Sequence, residues 1–210
     1  MSFSLVGIDP AIVRMGLARV SGDLYTDTDT ALLNSPVMDH VKGVVGDYLR
    51  SMALSNTLLD WFREPYTNDK AIVTSEGICL NRPIITVEGP AFARSPKGSV
   101  QVGFIHQAIY HAIQRFRYCT LIVVPPTTLK RYVTGSGRAD KPRMLEGILK
   151  KWFRGYVPGF GEQDIYEAYA LARLGGDIIG GNLKTSEERS IISAVDAFLV
   201  VGGRFRVLSL

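Results

Sequence analysis

Two short apolar runs in this chain each close on a carboxylate. Leu5-Val6-Gly7-Ile8 ends at Asp9, and Ile84-Ile85-Thr86-Val87 ends at Glu88. Apolar runs of this length, bounded by turn residues such as the Gly89-Pro90 that follows Glu88, read as buried strands. A carboxylate at the end of such a strand costs free energy unless something pairs with it. A second acidic pair, Asp164 and Glu167, stands three residues apart in a stretch that reads as a buried helix, Asp164 to Ala172. Residues i and i+3 share a helix face. The chain must therefore fold so that strand ends and a helix face carry acids at the edge of a core. Several carboxylates converging on one spot repel, and a pair of divalent cations is the usual resolution. That arrangement suits the cutting of phosphodiesters.

The remaining pattern is α/β. Leu5–Asp9 predicts a strand with Met15–Val20 as its hairpin partner, and 31–38 a third strand. Apolar residues recur at helical spacing from Val41 to Phe62, as one long helix or two, and again from Val102 to Phe116. Leu121–Val124 is a further buried strand, stopped by Pro125-Pro126. A short helix over Thr127–Tyr132 and a Gly135-Ser136-Gly137 turn lead to an amphipathic helix around Met144–Phe153. The acidic helix starts near Gln163 and is predicted to end at Gly175-Gly176; a tail follows with a predicted helix over Glu187–Leu199 and a final strand. Residues 66–82 read as a surface excursion. Early antiparallel strands followed by alternating helices and strands imply a mixed sheet with helices on both faces.

Charge is concentrated. Residues 130–154 carry eight basic side chains against Asp140 and Glu146, a local +6 in a chain of net +4. A basic block beside an acidic site suits a polyanionic substrate, nucleic acid above all. The two cysteines, Cys79 and Cys119, sit among apolar neighbours with no metal-ligand spacing, so a reducing compartment is expected. The N-terminal residues show no secretory pattern, and the longest apolar stretch, near Ile191–Val201, is interrupted by Asp196 and too short to span a bilayer. The expectation is a cytoplasmic, DNA-associated protein with no membrane partner.

Four stretches together resemble the RuvC family of Holliday-junction resolvases, within the ribonuclease H-like superfamily. They are Gly7-Ile8-Asp9-Pro10 with Gly16 following, the Val87-Glu88 strand end, Pro125-Pro126-Thr127-Thr128-Leu129-Lys130 continuing through Gly135-Ser136-Gly137-Arg138-Ala139-Asp140-Lys141, and Asp164-x-x-Glu167-Ala168. Each motif is short, but their order and spacing cover roughly residues 5 to 175. The chain departs from the family pattern at Ala11, where glycine is frequent, and at Glu167, one methylene longer than the usual aspartate.

The resemblance implies a ribonuclease H-like mixed sheet flanked by helices over residues 1–176, with 177–210 as an extension of unknown role. It implies a Mg²⁺-dependent endodeoxyribonuclease that resolves four-way DNA junctions by paired symmetric cuts. Two Mg²⁺ ions, with Mn²⁺ substituting, would be held by Asp9, Glu88, Asp164 and Glu167, since hard oxygen ligands favour these metals. Asp9 would bridge the two, and Glu162 is a rival ligand. Lys130 and Lys141 would contact the scissile phosphate. Arg131, Arg138 and Arg143 would hold flanking phosphates. Phe92 would stack on an unpaired base or fill the core, with Arg94 and Lys97 beside it.

A homodimer is implied through the helix over Val102–Phe116, which carries His106, Tyr110 and His111; the tail could supplement that contact. His106 itself reads as a hydrogen-bonded interior or interface histidine. A broader branched-DNA or flap nuclease is the alternative. An actin-like or sugar-kinase ATPase would need Gly-rich phosphate loops, and Asp9-Pro10-Ala11-Ile12-Val13 makes a poor one. A DNA-binding module without catalysis would have no need of all four acids.

Overall fold

The computed structural model describes residues 4–11, 14–21, 27–34, 43–63, 72–73, 79–80, 83–91, 96–115, 118–154 and 162–210. Nine strands and six α-helices are found among them. In chain order they are β1 (Leu5–Asp9), β2 (Arg14–Ser21), β3 (Asp27–Asn34), α1 (Gly43–Arg63), β4 (Ile72–Val73), β5 (Cys79–Leu80), β6 (Ile84–Glu88), α2 (Pro96–Gln114), β7 (Tyr118–Val124), α3 (Pro126–Thr134), α4 (Lys141–Trp152), α5 (Gln163–Ile179), α6 (Ser186–Arg189), β8 (Asp196–Val201) and β9 (Arg204–Val207). Seven strands form one mixed sheet in the order β3-β2-β1-β6-β7-β8-β9, while β4 and β5 form a separate small ribbon. The centre, β1-β6-β7, is parallel, and both flanks are antiparallel.

Strand alternation sorts the sheet into two cores. Val6, Ile8, Met15, Leu17, Ile85 and Val87 pack with Leu54, Leu58 and Phe62 of α1 and Ile105, Ile109 and Ile113 of α2. Leu5, Ala18, Val20, Ile84, Ile122 and Val124 face α3, α4 and α5, through residues such as Leu129, Met144, Ile148, Ala168 and Leu171. Asp9 lies two and four residues beyond Gly7 and Leu5, so period two puts it on the α5 face. Glu88 follows Ile84 and Thr86 on that same face.

The approach of α5 to the sheet depends on glycine. A Cβ on Gly7 would lie 1.7 Å from the Ala168 carbonyl oxygen, and one on Gly16 would lie 2.1 Å from that of Asp164. Only a residue without a side chain lets backbone meet backbone this closely. The helix therefore seats its acidic first turns directly over β1 and β2.

Several sequence expectations differ from the structure. Gly175-Gly176 do not end the acidic helix: they lie inside α5, where their missing side chains leave room for Thr86 and Leu5. The helix expected over Glu187–Leu199 is the four-residue α6, a 3-10 turn at Ile192–Ala194, and strand β8. Its apolar residues serve the sheet instead, with β8 paired along β7 from Tyr118↔Val201 to Val123↔Asp196. The position expected as a domain boundary, residue 176, falls within α5, and β8 and β9 extend the main sheet. The third strand comes four residues early, at Asp27–Asn34.

The apolar periodicity of α1 divides between two surroundings. Its C-terminal half, Leu54 to Phe62, supplies the buried core residues, whereas Val45, Tyr48, Leu49 and Met52 are exposed, as is Val100 of α2. No helix among the described residues is long and apolar enough to cross a membrane. Cys119 of β7 is buried.

Candidate active site

The parallel pairing of β1 with β6 runs to Ile8↔Val87, so Asp9 and Glu88 emerge side by side at the C-terminal end of the sheet. From above, α5 brings Asp164 in its first turn and Glu167 one turn on. Asp9 is buried, with 8% of its surface exposed. Burial raises its pKa well above the ordinary carboxyl range, and the charges of Glu88, Glu167 and Asp164 raise it further, opposed by Lys141. Glu88 is pushed up to about 7, by burial first and then by Glu167, with Lys130 and Lys141 pulling the other way. Burial also raises Glu167, against a hydrogen bond from Gln163 and the charges of Lys141 and Lys130. The structure thus brings all four predicted acids into one electrostatic unit short of positive charge. Among the described residues no three acidic, His or Cys side chains are gathered tightly enough to hold a metal ion as they stand. Lysine side chains offset part of the repulsion among the four acids.

Those cations come from α3 and α4. The chain leaves β7 through Pro125, and Pro126 opens α3, where a missing backbone N–H costs nothing. Gly135 ends α3 at φ 74°, its N–H donating to Arg131 O at 2.8 Å. That left-handed cap accounts for the glycine in the Gly-Ser-Gly turn as a tight bend. Asp140 caps α4 by accepting from the Arg143 N–H at 3.1 Å. Lys130 is thereby set half-buried on α3, and Lys141 becomes the first residue of α4. Lys141 Nζ stands 3.4 Å from Asp164 Oδ1. Burial works to lower the Lys141 pKa, but Asp164, Glu167 and Asp9 outweigh it and hold it above the usual lysine value.

The comparisons with known proteins address the fold. No protein-family model and no curated protein matches the sequence. A Thermus thermophilus RuvC structure in complex with Holliday junction substrate superposes with TM-score 0.54 at 18% identity, covering 81% of this chain and 90% of that one. A second Thermus thermophilus RuvC structure gives TM-score 0.52 at 18% identity, covering 86% and 97%. The fold is that of RuvC. Its mixed sheet with flanking helices agrees with the ribonuclease H-like fold that the resemblance implied.

On this fold the other predicted residues scatter. Arg131, Arg138 and Arg143 are exposed on α3, the following turn and α4. Lys97 is exposed on the first turn of α2, where its charge acts on Asp47 of α1. Phe92 and Arg94 lie outside the described residues. His106 is buried, as the interior histidine expected, and among the described residues its Nδ1 has no hydrogen-bond partner. Burial lowers its pKa to about 4, so the ring is neutral. It lines a cavity of about 70 Å³ with Glu88, Pro10, Ala11 and Val102. Its ring also lies against Tyr110, which in turn meets Phe205 of β9. The face of α2 bearing His106 and Tyr110 is therefore turned into the protein's own core.

Two site residues escape a reading of the sequence. Gln163 donates from Nε2 to Glu167 Oε1 at 2.9 Å and to the Lys141 carbonyl at 2.9 Å, tying α5 to α4. Arg14 forks onto Glu162, with Nη1 to Oε1 at 3.1 Å and Nη2 to Oε2 at 3.0 Å. The signal for Arg14 is period two: it shares a strand face with Gly16, on which Asp164 sits.

Proposed function

We propose that this protein is a Mg²⁺-dependent endodeoxyribonuclease that resolves four-way DNA junctions by paired symmetric cuts. The observation carrying this reading is the convergence of Asp9, Glu88, Asp164 and Glu167 at one sheet end, flanked by Lys130 and Lys141. It is supported by the RuvC fold, one structure of which holds a Holliday junction substrate. The donor set fits hard divalent cations: four carboxylates, with no sulfur or imidazole among them, two of which, Asp9 and Glu88, are raised in pKa by burial and by their acidic neighbours.

Asp9, Glu88, Asp164 and Glu167 would hold two Mg²⁺ ions, with Mn²⁺ substituting. When bound, the pair supplies Lewis acidity to the attacking water and to the leaving 3′ oxygen. The chain's own residues do the rest. Gln163 fixes the Glu167 carboxylate from one side. Lys141 and Lys130 neutralise the scissile phosphate as charge develops on it. Arg131, Arg138 and Arg143 hold neighbouring phosphates, while Phe92, Arg94 and Lys97 meet the strand near the branch point.

Two nicks on opposing strands need two sites, and a two-fold homodimer matches the junction's pseudo-symmetry. The exposed stripe Val45, Tyr48, Leu49 and Met52 of α1 with Val100 of α2 supports that reading. It replaces the His106 and Tyr110 face as the contact. A DNA-directed activity and two cysteines without metal-ligand spacing fit a cytoplasmic site of action. Cleavage of four-way, three-way and flap DNA with Mg²⁺ tests the reading. Paired cuts confined to the four-way junction are expected; equal cutting of flaps refutes junction resolution in favour of a broad branch nuclease.

A further inference from the structure

The strand pattern of β2 places Arg14, Gly16, Ala18 and Val20 on the α5 face. Ala18 and Val20 pack into the core beneath α5, and Gly16 lets the Asp164 backbone rest on the strand. Arg14, at the end of this row, is thus delivered to the start of α5. There its guanidinium is divided. Nη1 and Nη2 are taken by both oxygens of Glu162, and Nε points to Asp164 Oδ2 at 3.8 Å. On the opposite side, Lys141 Nζ meets Asp164 Oδ1 at 3.4 Å. One predicted metal ligand is therefore held between two side-chain cations. The contact from Arg14 is the looser one, because Glu162 holds the fork.

A paired guanidinium that is 40% exposed contributes little to stability by itself. Its position is the informative part. A bidentate Arg–carboxylate pair fixes the plane of the guanidinium, here with Nε turned toward a carboxylate that a divalent cation would need. We infer that Arg14 is a positioning residue and charge placeholder for Asp164, shielding that carboxylate until a divalent cation replaces it. Glu162 is its anchor, both of its carboxylate oxygens accepting from the guanidinium. The inference rests on the metal-site reading given above and concerns how strongly that site competes for its ion.

The test is calorimetric titration of Mn²⁺ alone into DNA-free protein at low salt, with circular dichroism to establish folding. Arg14→Gln removes the competing charge and should tighten Mn²⁺ binding on the order of tenfold. Glu162→Gln frees the guanidinium to close on Asp164 and should weaken binding several-fold. Arg14→Lys keeps the charge without the fork and should also weaken it. A purely structural pair would weaken binding when broken from either end. Unchanged or weaker binding by folded Arg14→Gln overturns the inference. Should that variant not fold, unchanged or tighter binding by Glu162→Gln overturns it. Absence of Mn²⁺ binding by the unaltered protein overturns the metal reading itself, and this inference with it.

Discussion

Glu88 offers a perturbation in which stability and activity should move in opposite directions. Its carboxyl is raised from 4.5 to about 7 in the folded protein, first by burial and then by Glu167. The folded state therefore binds the proton more tightly than the unfolded one. The stability this confers is fully present below about pH 4.5 and is lost as pH rises through about 7. Converted at 1.36 kcal/mol per pH unit, the raised value costs the metal-free protein roughly 3 kcal/mol by about pH 8. Glutamine has the shape of the neutral acid and avoids that cost. Glu88→Gln should then melt above the unaltered protein in EDTA at about pH 8, by roughly 5 to 10 °C for a chain of this size. The gap should shrink to under about 1 kcal/mol near pH 5, where most of the native Glu88 is neutral anyway. Adding Mg²⁺ should reverse the order, because only the unaltered protein keeps the ligand and gains binding free energy. Cleavage by the variant should be abolished. Thermal melts at two pH values, with EDTA and with Mg²⁺, check all of this. A Glu88→Gln protein that is less stable in EDTA at both pH values would refute the reasoning, as would one equally stabilised at both.

Asp9→Asn should abolish cleavage while leaving junction binding intact or tighter, since affinity resides in the basic segment; an active variant, in gel assays with Mg²⁺, sinks the assignment. Replacing Lys141 and Arg143 together by alanine should weaken binding across sequences and lower the slope of log affinity against log salt by about one for each phosphate no longer neutralised. An unchanged slope would make this block a solvated face. Sedimentation at micromolar concentration should show a dimer, and Leu49→Glu on the exposed α1 stripe should leave a folded monomer that nicks one strand. A dimer untouched by that change places the contact elsewhere.

The parts of the fold legible in the sequence are those governed by local periodicity. Leu5–Asp9 and Ile84–Glu88 are short apolar runs with a polar stop, and a buried strand accommodates both. The amphipathic stripe of α4, with Met144 and Ile148 inward, is equally local. The misreadings share a cause, which is that partners from elsewhere in the chain decide the outcome. Gly175-Gly176 is a helix stop by propensity, yet inside α5 its cost is offset by contact with Thr86 and Leu5. Residues 196–201 lack strict alternation because both faces of β8 are partly covered, and local pattern alone favours a helix there. The four acids are legible because Asp9 and Glu88 close strands, while Asp164 and Glu167 share a face at the start of a helix. The Arg14–Glu162 pair is not, because its members are 148 residues apart and each looks like an ordinary surface charge.

The sheet explains why these features do not interfere with one another. Its α3–α5 face collects the charged components: Asp9 and Glu88 from the strands, Asp164 and Glu167 from α5, Lys130 and Lys141 from α3 and α4, and Arg14 from β2. The opposite face, under α1 and α2, is closed by apolar packing, and its outermost stripe is apolar as well. A polyanion drawn to the first face meets carboxylates whose charge is already partly matched by side chains, so the field it encounters is less repulsive than four bare acids would make it. A second copy docking on the α1 stripe would leave that charged face free. The division follows from period two in β1, β2 and β6. Shifting any of these strands by one residue would send Asp9, Arg14 or Glu88 into the apolar core and bring Ile8, Met15 or Val87 to the site.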